Sequence, residues 1–275
     1  MSDTRPEGLQ KIKHIVAVAS GKGGVGKSTT TVNVALAMAK AGFKVGILDA
    51  DIYGPSQGLM LGIAEGSHPE TMDEKWFVPI QAHGVSVMSM AFLVDANTPM
   101  VWRGPMAAGA LQQMLLQTQW GELDYLFVDM PPGTGDIQLT LCQKAQVSGA
   151  VIVTTPQDLA LLDARKGIEM FNKVNVPVLG VVENMSTHVC SQCNHEEAIF
   201  GAGGGAALAQ EYGTQLLASL PLSMAIRVLV DSGTPTVVAE PESAAAKTYE
   251  QLAHTLVAQL DGTTQSMPSI SIDED

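Results

Sequence analysis

The chain has 275 residues, enough to bury a substantial core within one α/β domain, and it carries 28 acidic against 15 basic residues. The resulting net charge of −13 argues against a non-specific DNA-binding protein, which is expected to have a basic face. Three cysteines are too few for a disulfide framework, and no apolar stretch resembles a signal-peptide core or a membrane span, so we expect a cytoplasmic protein that binds neither nucleic acid nor membranes.

A glycine-rich loop follows the first predicted strand. The apolar run 15–19 precedes the sequence Gly-Lys-Gly-Gly-Val-Gly-Lys-Ser at 21–28, and a predicted helix over 30–41 follows it. This is the pattern of a phosphate-binding loop, whose backbone N–H groups and adjoining helix N-terminus surround the phosphates of a nucleotide. We predict that Lys27 contacts the β- and γ-phosphates of ATP and that Ser28 binds Mg²⁺. The residues predicted to bind the nucleotide here are Gly21, Lys22, Gly23, Gly24, Val25, Gly26, Lys27, Ser28 and Thr29.

The second residue of this loop, Lys22, is not required by the general pattern. With it the loop reads Lys-Gly-Gly-Val-Gly-Lys-Ser-Thr, which resembles the deviant phosphate loop of the MinD/ParA/nitrogenase-iron-protein class of ATPases. The resemblance implies that Lys22 crosses a subunit interface to the partner's nucleotide, so that ATP lies within a homodimer and Lys22 acts in catalysis together with Lys27. The alternative is a solvated loop lysine.

Two carboxylates close the next predicted strand. The segment 44–51 has the length of a strand, is mostly apolar and contains Asp49 and Asp51 at its end. Carboxylates at this position lie in the crevice where open α/β sheets bind ligands. We assign Asp51 to the attacking water or its Mg²⁺-bound network, with Asp49 nearby, and the resemblance places the matching aspartate in the first switch. The alternative is a pair of aspartates that cap a helix.

The middle of the chain is less regular. Residues 63–82 lose the apolar periodicity, and we interpret them as a surface insertion loop. A strand is predicted at 85–90, and Pro105 suits the first turn of a helix that runs to about Trp120. Arg103, just before this helix, is a candidate for contacting phosphate or a second subunit, with an ordinary surface salt bridge as the alternative.

A second predicted nucleotide strand spans 124–129 and ends in Asp129. A carboxylate at this position is suited to holding Mg²⁺ through water. The Pro-Pro-Gly turn that follows fits a second switch, in which the backbone amide of Gly133 senses the γ-phosphate. Further along, Asn184 follows the strand predicted at 176–182, and its amide can read the adenine edge as donor and acceptor together. A turn-forming asparagine is the alternative.

Strands alternate with helices at least five times, which predicts a doubly wound, mostly parallel sheet with helices on both faces. We expect a flexible N-terminal tail over 1–12, one ATPase domain over 13–260 that ends with an amphipathic helix from residue 244, and an acidic disordered tail over 261–275.

Cys190 and Cys193 form a Cys-x-x-Cys pair on a predicted loop. Two thiolates can bind one face of a soft metal centre, but one pair cannot complete a four-sulfur shell. A homodimer solves this problem if both loops lie near the two-fold axis. Zinc bound with His188 and His195, a zinc site shared between two subunits, and a dithiol redox site are the alternatives.

The order of these motifs is similar to that of the Mrp/ApbC family of iron–sulfur cluster carriers. The shared motifs are the phosphate loop, Trp-Arg-Gly-Pro-Met at 102–106, Asp-Met-Pro-Pro-Gly-Thr-Gly-Asp at 129–136, Glu-Asn-Met at 183–185 and the cysteine pair. The resemblance implies an ATPase that holds a bridging 4Fe–4S cluster and exchanges it with scaffold and apo iron–sulfur proteins. Many members carry a small extra domain before the ATPase; because the first strand is predicted at about Lys13, we expect that domain to be missing here.

A different class of function is also compatible with the phosphate loop. ParA- and MinD-like proteins use ATP to gather on DNA or membrane, and they have no need for the cysteine pair, which would then bind structural zinc. The acidic end of the chain, Ser-Ile-Ser-Ile-Asp-Glu-Asp, lacks the basic amphipathic anchor found in some ATPases of this class.

Overall fold

We describe the protein from a computed structural model. The structure describes residues 5–73, 75–93, 104–190, 192–193 and 195–263. The predicted contact of Arg103 therefore lies outside the described residues, as do most of the predicted acidic tail and the first four residues. Among the helices described, none is both long and apolar enough to cross a membrane.

The described strands and helices alternate along much of the chain. The strands are β1 (Ile12–Ala19), β2 (Val45–Asp49), β3 (Glu70–Met72), β4 (Trp76–Val78), β5 (Ile80–Ala82), β6 (Val85–Ser89), β7 (Leu123–Asp129), β8 (Gly149–Thr154), β9 (Val178–Glu183), β10 (His188–Val189), β11 (Glu196–Glu197) and β12 (Leu216–Ser219). The α-helices are α1 (Lys27–Lys40), α2 (Gln57–Met60), α3 (Gly104–Leu116), α4 (Asp136–Ala145), α5 (Asp158–Lys173), α6 (Gly204–Glu211), α7 (Met224–Asp231), α8 (Thr236–Ala239) and α9 (Ala244–Thr263). Two 3₁₀ turns span Glu7–Leu9 and Met90–Leu93.

The main sheet has the strand order β12-β9-β8-β1-β7-β2-β6-β5. All neighbouring pairs are parallel except β5 with β6, which is antiparallel. The carboxyl ends of the central strands β1, β2 and β7 therefore lie side by side, and Asp49 and Asp129 are register partners there. The doubly wound fold predicted from the sequence is confirmed.

Two apolar layers cover the faces of this sheet, because successive side chains of each central strand point to opposite sides. In β1, Ile15 and Ala17 pack toward α3, α4, α5 and α6, while Val16 and Val18 pack toward α1, α8 and α9. Strands buried on both faces read as continuous apolar runs, which explains why the central strands were easy to recognise in the sequence.

The interpretation of residues 63–82 as a loop is wrong from Glu70 onward. β3 and β4 form an antiparallel hairpin, and β5 is the edge strand of the main sheet. The backbone of Phe77 exchanges hydrogen bonds with Gln117 and Gln119, at 2.8 Å each. Strands of three residues are too short to show a period of two, so the sequence pattern could not identify them.

The packed part of the chain also extends beyond both predicted ends. Leu9, assigned to a flexible tail, is fully buried in the layer that contains α3. At the other end, α9 continues to Thr263, and the Asp261 carboxylate accepts a hydrogen bond from the Lys13 ammonium at 2.6 Å. Tertiary packing rather than local pattern fixes both boundaries.

We expect Leu9→Ala to lower the free energy of unfolding by about 2–5 kcal/mol, because truncating a fully buried leucine removes apolar contacts and leaves a cavity. Urea unfolding followed by circular dichroism measures this loss. Lys11→Ala is the matched control, since Lys11 is exposed. Equal stability of the two variants would show that the segment before β1 adds nothing to the core.

Candidate functional site

A cavity of about 430 Å³ opens at the carboxyl ends of the central strands. Six residues of the predicted phosphate loop line it: Gly23, Gly24, Gly26, Lys27, Ser28 and Thr29. Asp51 lines the same cavity after β2, and Asn184 lines it after β9. Side chains and backbone from three separate parts of the sequence therefore meet in one space.

The loop between β1 and α1 is held in a conformation that requires glycine. Gly24 and Gly26 have φ of +79° and +88°, and Gly26 immediately precedes α1. A Cβ atom at Gly26 would lie 2.0 Å from Nδ2 of Asn184, and one at Gly21 would lie 2.1 Å from the backbone of Asp163 in α5. Lys27, Ser28 and Thr29 at the start of α1 line the cavity, and a helix N-terminus is a favourable site for a phosphate.

The ammonium of Lys27 is buried at the centre of the site. It donates to Oδ1 of Asp129 at 2.5 Å and to Oγ of Ser28 at 3.2 Å, and it lies 3.9 Å from Oδ2 of Asp51. Asp129 is fully buried and also accepts a hydrogen bond from Thr31. The Lys27 ammonium therefore lies within 4 Å of both predicted metal-binding carboxylates.

Asp49, which the sequence left without a definite role, holds the chain that follows β2. Its carboxylate accepts hydrogen bonds from the backbone N–H groups of Asp51, Ser56 and Gln57 and from the Ser89 hydroxyl. Burial, together with the charge of Asp129, raises the pKa of Asp49 to about 7. Because Asp49 is fully buried behind the loop, Asp51 is the carboxylate that faces the cavity.

The residues predicted to bind Mg²⁺ fit a small hard cation. Such a cation prefers oxygen ligands. The hydroxyl of Ser28 and the carboxylates of Asp51 and Asp129 all lie within 4 Å of the Lys27 ammonium, so they converge on one small volume. Beside them, Gln57 has a buried carbonyl oxygen with no hydrogen-bond partner among the residues the structure describes.

Gly133 and Lys22 both contact Ser20 at the start of the phosphate loop. Gly133 has a φ of +96°, and its N–H donates to the Ser20 carbonyl at 3.0 Å, so the turn after β7 is bonded directly to the start of the phosphate loop. Its predicted response to the γ-phosphate remains a prediction. The Lys22 side chain is exposed, and its carbonyl accepts a hydrogen bond from the Ser20 hydroxyl.

Asn184 has a contact that the sequence did not reveal. Its Nδ2 donates to the Val25 carbonyl at 2.9 Å, so the side chain bridges β9 and the phosphate loop while it lines the cavity. The predicted adenine contact remains a prediction. Sequence reasoning also missed the outer wall of the cavity, formed by residues 221–223 and by Ile226, Arg227, Val230 and Asp231 of α7. The spacing of the apolar residues Ile226 and Val230, four positions apart as on one face of a helix, was the available sequence signal.

The cysteine pair lies in the turn of a small hairpin. In β10 and β11, His188 pairs with Glu197 and Val189 with Glu196, and the Cys190 N–H donates to the His195 carbonyl at 2.9 Å. Cys190 is half-buried and Cys193 is exposed. Hydrogen bonds from the backbone of Gln192 and from Cys193 lower the pKa of the Cys190 thiol, which favours the thiolate that binds metals.

Within the part of the chain that the structure describes, no cluster of three or more His, Cys, Asp and Glu side chains could hold a metal ion. His188 instead directs its ring Nδ1 to the Leu222 carbonyl at 3.2 Å. The described residues therefore do not support the zinc site that the sequence allowed on one chain with both histidines. The two thiols form an incomplete ligand set.

The hairpin and the cavity share a wall. The Leu222 N–H donates to the Thr187 carbonyl at 2.7 Å, and the Leu222 carbonyl contacts His188, while Leu222 itself lines the cavity. Asn184 and Met185, which also line it, precede the hairpin by a few residues. The wall of the cavity is therefore hydrogen-bonded directly to the base of the cysteine hairpin.

Comparison with known proteins identifies the family. The family model of the NUBPL iron-transfer P-loop NTPases, within the ParA group, matches residues 11–257. The chain belongs to this family. It is 69% identical over 248 residues to the iron-sulfur cluster carrier protein of Pseudomonas fragi, and the match covers 90% of this chain and 86% of that protein. The predicted enzyme class, a P-loop NTPase, and the predicted iron–sulfur carrier family are both confirmed.

Solved structures agree with the fold. A nucleotide-binding protein from Archaeoglobus fulgidus, determined in complex with ADP, is 40% identical with a TM-score of 0.74, covering 86% of this chain and 92% of that one. The cell division ATPase MinD from Pyrococcus furiosus has a TM-score of 0.65 and covers 90% of this chain and 99% of its own. At 23% identity, the likeness to MinD shows the fold alone.

We expect Gly26→Ala to weaken ADP binding by roughly ten- to a hundredfold, since the substitution strains a left-handed residue and places a methyl group against Asn184. Isothermal titration calorimetry gives the affinity. Gly109→Ala in α3 is the control, because an added Cβ there meets nothing within 4 Å. Should Gly26→Ala bind ADP as tightly as the wild type, the loop would not be the phosphate site.

Proposed function

We propose that this protein is an ATP-hydrolysing iron–sulfur cluster carrier, in which Cys190 and Cys193 from each of two subunits hold one 4Fe–4S cluster between them. The partners that would exchange the cluster are scaffold proteins and apo iron–sulfur proteins of the cytoplasm. The observation that carries the proposal is the hairpin itself: Cys190, half-buried, and Cys193, exposed, form an incomplete pair of thiols on a hairpin whose base is hydrogen-bonded to Leu222 in the wall of the nucleotide cavity.

The phosphate loop would act on ATP by position and charge. Lys27, the first residue of α1, would contact the β- and γ-phosphates. Ser28 would bind Mg²⁺ together with Asp51 and Asp129. Bound magnesium supplies positive charge to the phosphate oxygens. Asp51 would orient the attacking water, and its position in the lining of the cavity supports this role.

The ion pair between Lys27 and Asp129 would be exchanged for contacts with nucleotide and metal. Phosphate oxygens attract the same ammonium that Asp129 holds at 2.5 Å, so nucleotide binding would pull Lys27 from the carboxylate. Asp129 would then be available to magnesium. Nucleotide and metal would bind cooperatively: the phosphates would pair with the Lys27 ammonium, and magnesium would neutralise the Asp129 carboxylate that Lys27 leaves.

Two chains are needed to complete the thiolate shell. A cluster bound by cysteine takes four thiolates, and one hairpin supplies two. Val189 and Ile199, on either side of the hairpin, are about half exposed, at 48% and 50%, and a second subunit would bury them. Lys22 is exposed on its own loop, where it would reach the partner's nucleotide rather than its own.

Nucleotide state would reach the cluster through the shared wall. Pro221, Leu222 and Asn184 line the cavity, and Leu222 is bonded to Thr187 and His188 at the base of the hairpin. A shift of this segment on ATP binding or hydrolysis would change how the two hairpins meet. The cluster would then become more or less exposed to an accepting protein.

Anaerobic reconstitution with iron and sulfide tests cluster binding. We expect the wild type to gain a visible chromophore, and Cys190→Ser and Cys193→Ser each to lose most of their iron and sulfide, because each removes two of the four ligands in the dimer. ADP affinity should be unchanged in both. Cys142→Ser is unsuitable as a control because Cys142 is buried in the core, so Cys142→Ala is used and should keep the cluster.

Equal iron uptake by the wild type and the double cysteine variant would contradict the carrier function. The same pair of proteins also tests the ParA- or MinD-like alternative. ATPase activity that is stimulated by DNA or lipid, and that persists in the double variant, would favour that alternative.

Lys22→Ala is expected to abolish ATP-dependent dimerisation while it leaves ADP binding to the single chain within about twofold, because the exposed side chain contacts the partner's nucleotide in the proposed dimer. Size-exclusion chromatography with light scattering measures the mass in ATP and in ADP. Lys44→Ala, which removes a surface ion pair with Glu122, is the control. A Lys22→Ala protein that dimerises normally would rule out this role for the lysine.

A further inference from the structure

Gln57 is a fully buried amide beside the predicted magnesium ligands, and no motif singled it out. It is the first residue of α2, at the end of the loop that begins with Asp51. Its Nε2 donates to Oδ2 of Asp129 at 2.8 Å and to the Ser28 carbonyl at 3.0 Å. One side chain thus connects the loop after β2 to the carboxyl end of β7 and to the start of α1.

The orientation of this amide follows from its neighbours. Both contacts of the nitrogen are acceptors, so a reversed amide would place its oxygen against a carboxylate and a carbonyl. The backbone N–H of Gln57 is fixed as well, because it donates to Asp49 at 3.0 Å. The side chain is therefore held from both ends.

The carbonyl oxygen of the same amide is buried and has no hydrogen-bond partner among the described residues. A buried acceptor that is left unpaired destabilises the fold, and such groups are few in folded proteins. Because this oxygen belongs to the planar group that touches Asp129 and Ser28, it lies next to the predicted magnesium ligands. A donor that arrives with the metal would satisfy it.

We propose that Gln57 is a positioning residue of the nucleotide–magnesium site: its nitrogen holds the Asp129 carboxylate and the Ser28 carbonyl, and its oxygen accepts a hydrogen bond from a water of the magnesium shell. The inference rests on the proposed role of Ser28 and Asp129 as magnesium ligands. It does not depend on cluster binding.

The two oxygens of Asp129 show why such a residue is useful. Oδ1 contacts Lys27 and Thr31, whereas Oδ2 contacts Gln57. When phosphates draw Lys27 away, Gln57 keeps its hold on Oδ2 and so keeps the carboxylate plane in place. Oδ1 then already has the orientation needed to accept a hydrogen bond from a metal-bound water. Because the side chain is ordered beforehand, metal binding loses less side-chain conformational entropy.

Gln57→Met tests the inference, because methionine has a similar length and no amide. We expect the apparent affinity for Mn²⁺ in the presence of ADP to fall by about five- to tenfold, while ADP affinity in EDTA stays within about twofold of the wild type. Loss of the free Mn²⁺ signal in electron paramagnetic resonance measures metal binding without any turnover. A general structural defect would weaken nucleotide binding in EDTA as well.

Asn33→Leu is the matched control. Asn33 is also a fully buried amide; its Nδ2 donates to the Thr29 carbonyl of the same helix α1 and its Oδ1 accepts the Val237 N–H, and neither contact involves Asp129. This variant should lose stability and keep its Mn²⁺ affinity. An unchanged Mn²⁺ affinity in a folded Gln57→Met protein would overturn the inference, whereas a wild type that binds no Mn²⁺ with ADP would overturn the magnesium site itself.

A measurement on the wild type avoids the risk that Gln57→Met fails to fold. The side-chain amide resonance of Gln57, assigned by its absence in Gln57→Leu or by selective labelling, should shift when Mg²⁺ is added to the ADP complex. The Asn33 side-chain resonance should shift much less. Equal or absent shifts of the two amides would contradict the proposed role of Gln57.

Discussion

The balance of three buried charges governs this site. Asp49 and Asp129 are register partners at the ends of β2 and β7, and both are fully buried. Two neighbouring carboxylates away from water repel each other, and burial raises the free energy of each. The structure offsets this with the Lys27 ammonium on Asp129 and with backbone and hydroxyl donors on Asp49. The geometry of the loop after β2 follows, because that loop is fastened to Asp49.

The same balance explains why the carboxylates have different tasks. Asp49 satisfies its oxygens with groups that do not move away, so it is a structural anchor. Asp129 depends on Lys27, a flexible side chain that phosphate oxygens can attract. Asp51 is the most accessible of the three carboxylates. Its Oδ2 lies 3.9 Å from the Lys27 ammonium, and its Oδ1 accepts hydrogen bonds from the backbone N–H groups of Tyr53 and Gly54. Three aspartates at or just after the ends of two adjacent strands thus form an anchor, a partner of Lys27 and a carboxylate that lines the cavity.

Much of this arrangement was predictable because it depends on local pattern. Continuous apolar runs identify the central parallel strands, and the order of glycines and lysines identifies the phosphate loop. The contacts that were not predictable depend on tertiary structure. In the sequence Gln57 is an ordinary polar residue, and only the fold brings it into contact with Asp129. Asn184 forms its hydrogen bond to Val25 because β9 and β1 lie in one sheet with β8 between them. Leu9 and the short edge strand β5 carry too little periodicity to be recognised alone.

The position of the cysteine hairpin follows from the same topology. β9 ends at the carboxyl edge of the sheet, and Glu183 fixes the return of the chain, since its carboxylate accepts the Gly205 N–H at the start of α6. The segment between Glu183 and Gly205 contains the cysteine hairpin, and the hydrogen bonds of Leu222 to Thr187 and His188 hold the base of that hairpin. The hairpin is thus fixed at its base, while Cys193 is exposed, Cys190 is half-buried, and the apolar side chains of Val189 and Ile199 beside them are about half exposed. This geometry agrees with the proposed sharing of a cluster between two chains, because the described residues around the pair offer no third His, Cys, Asp or Glu ligand.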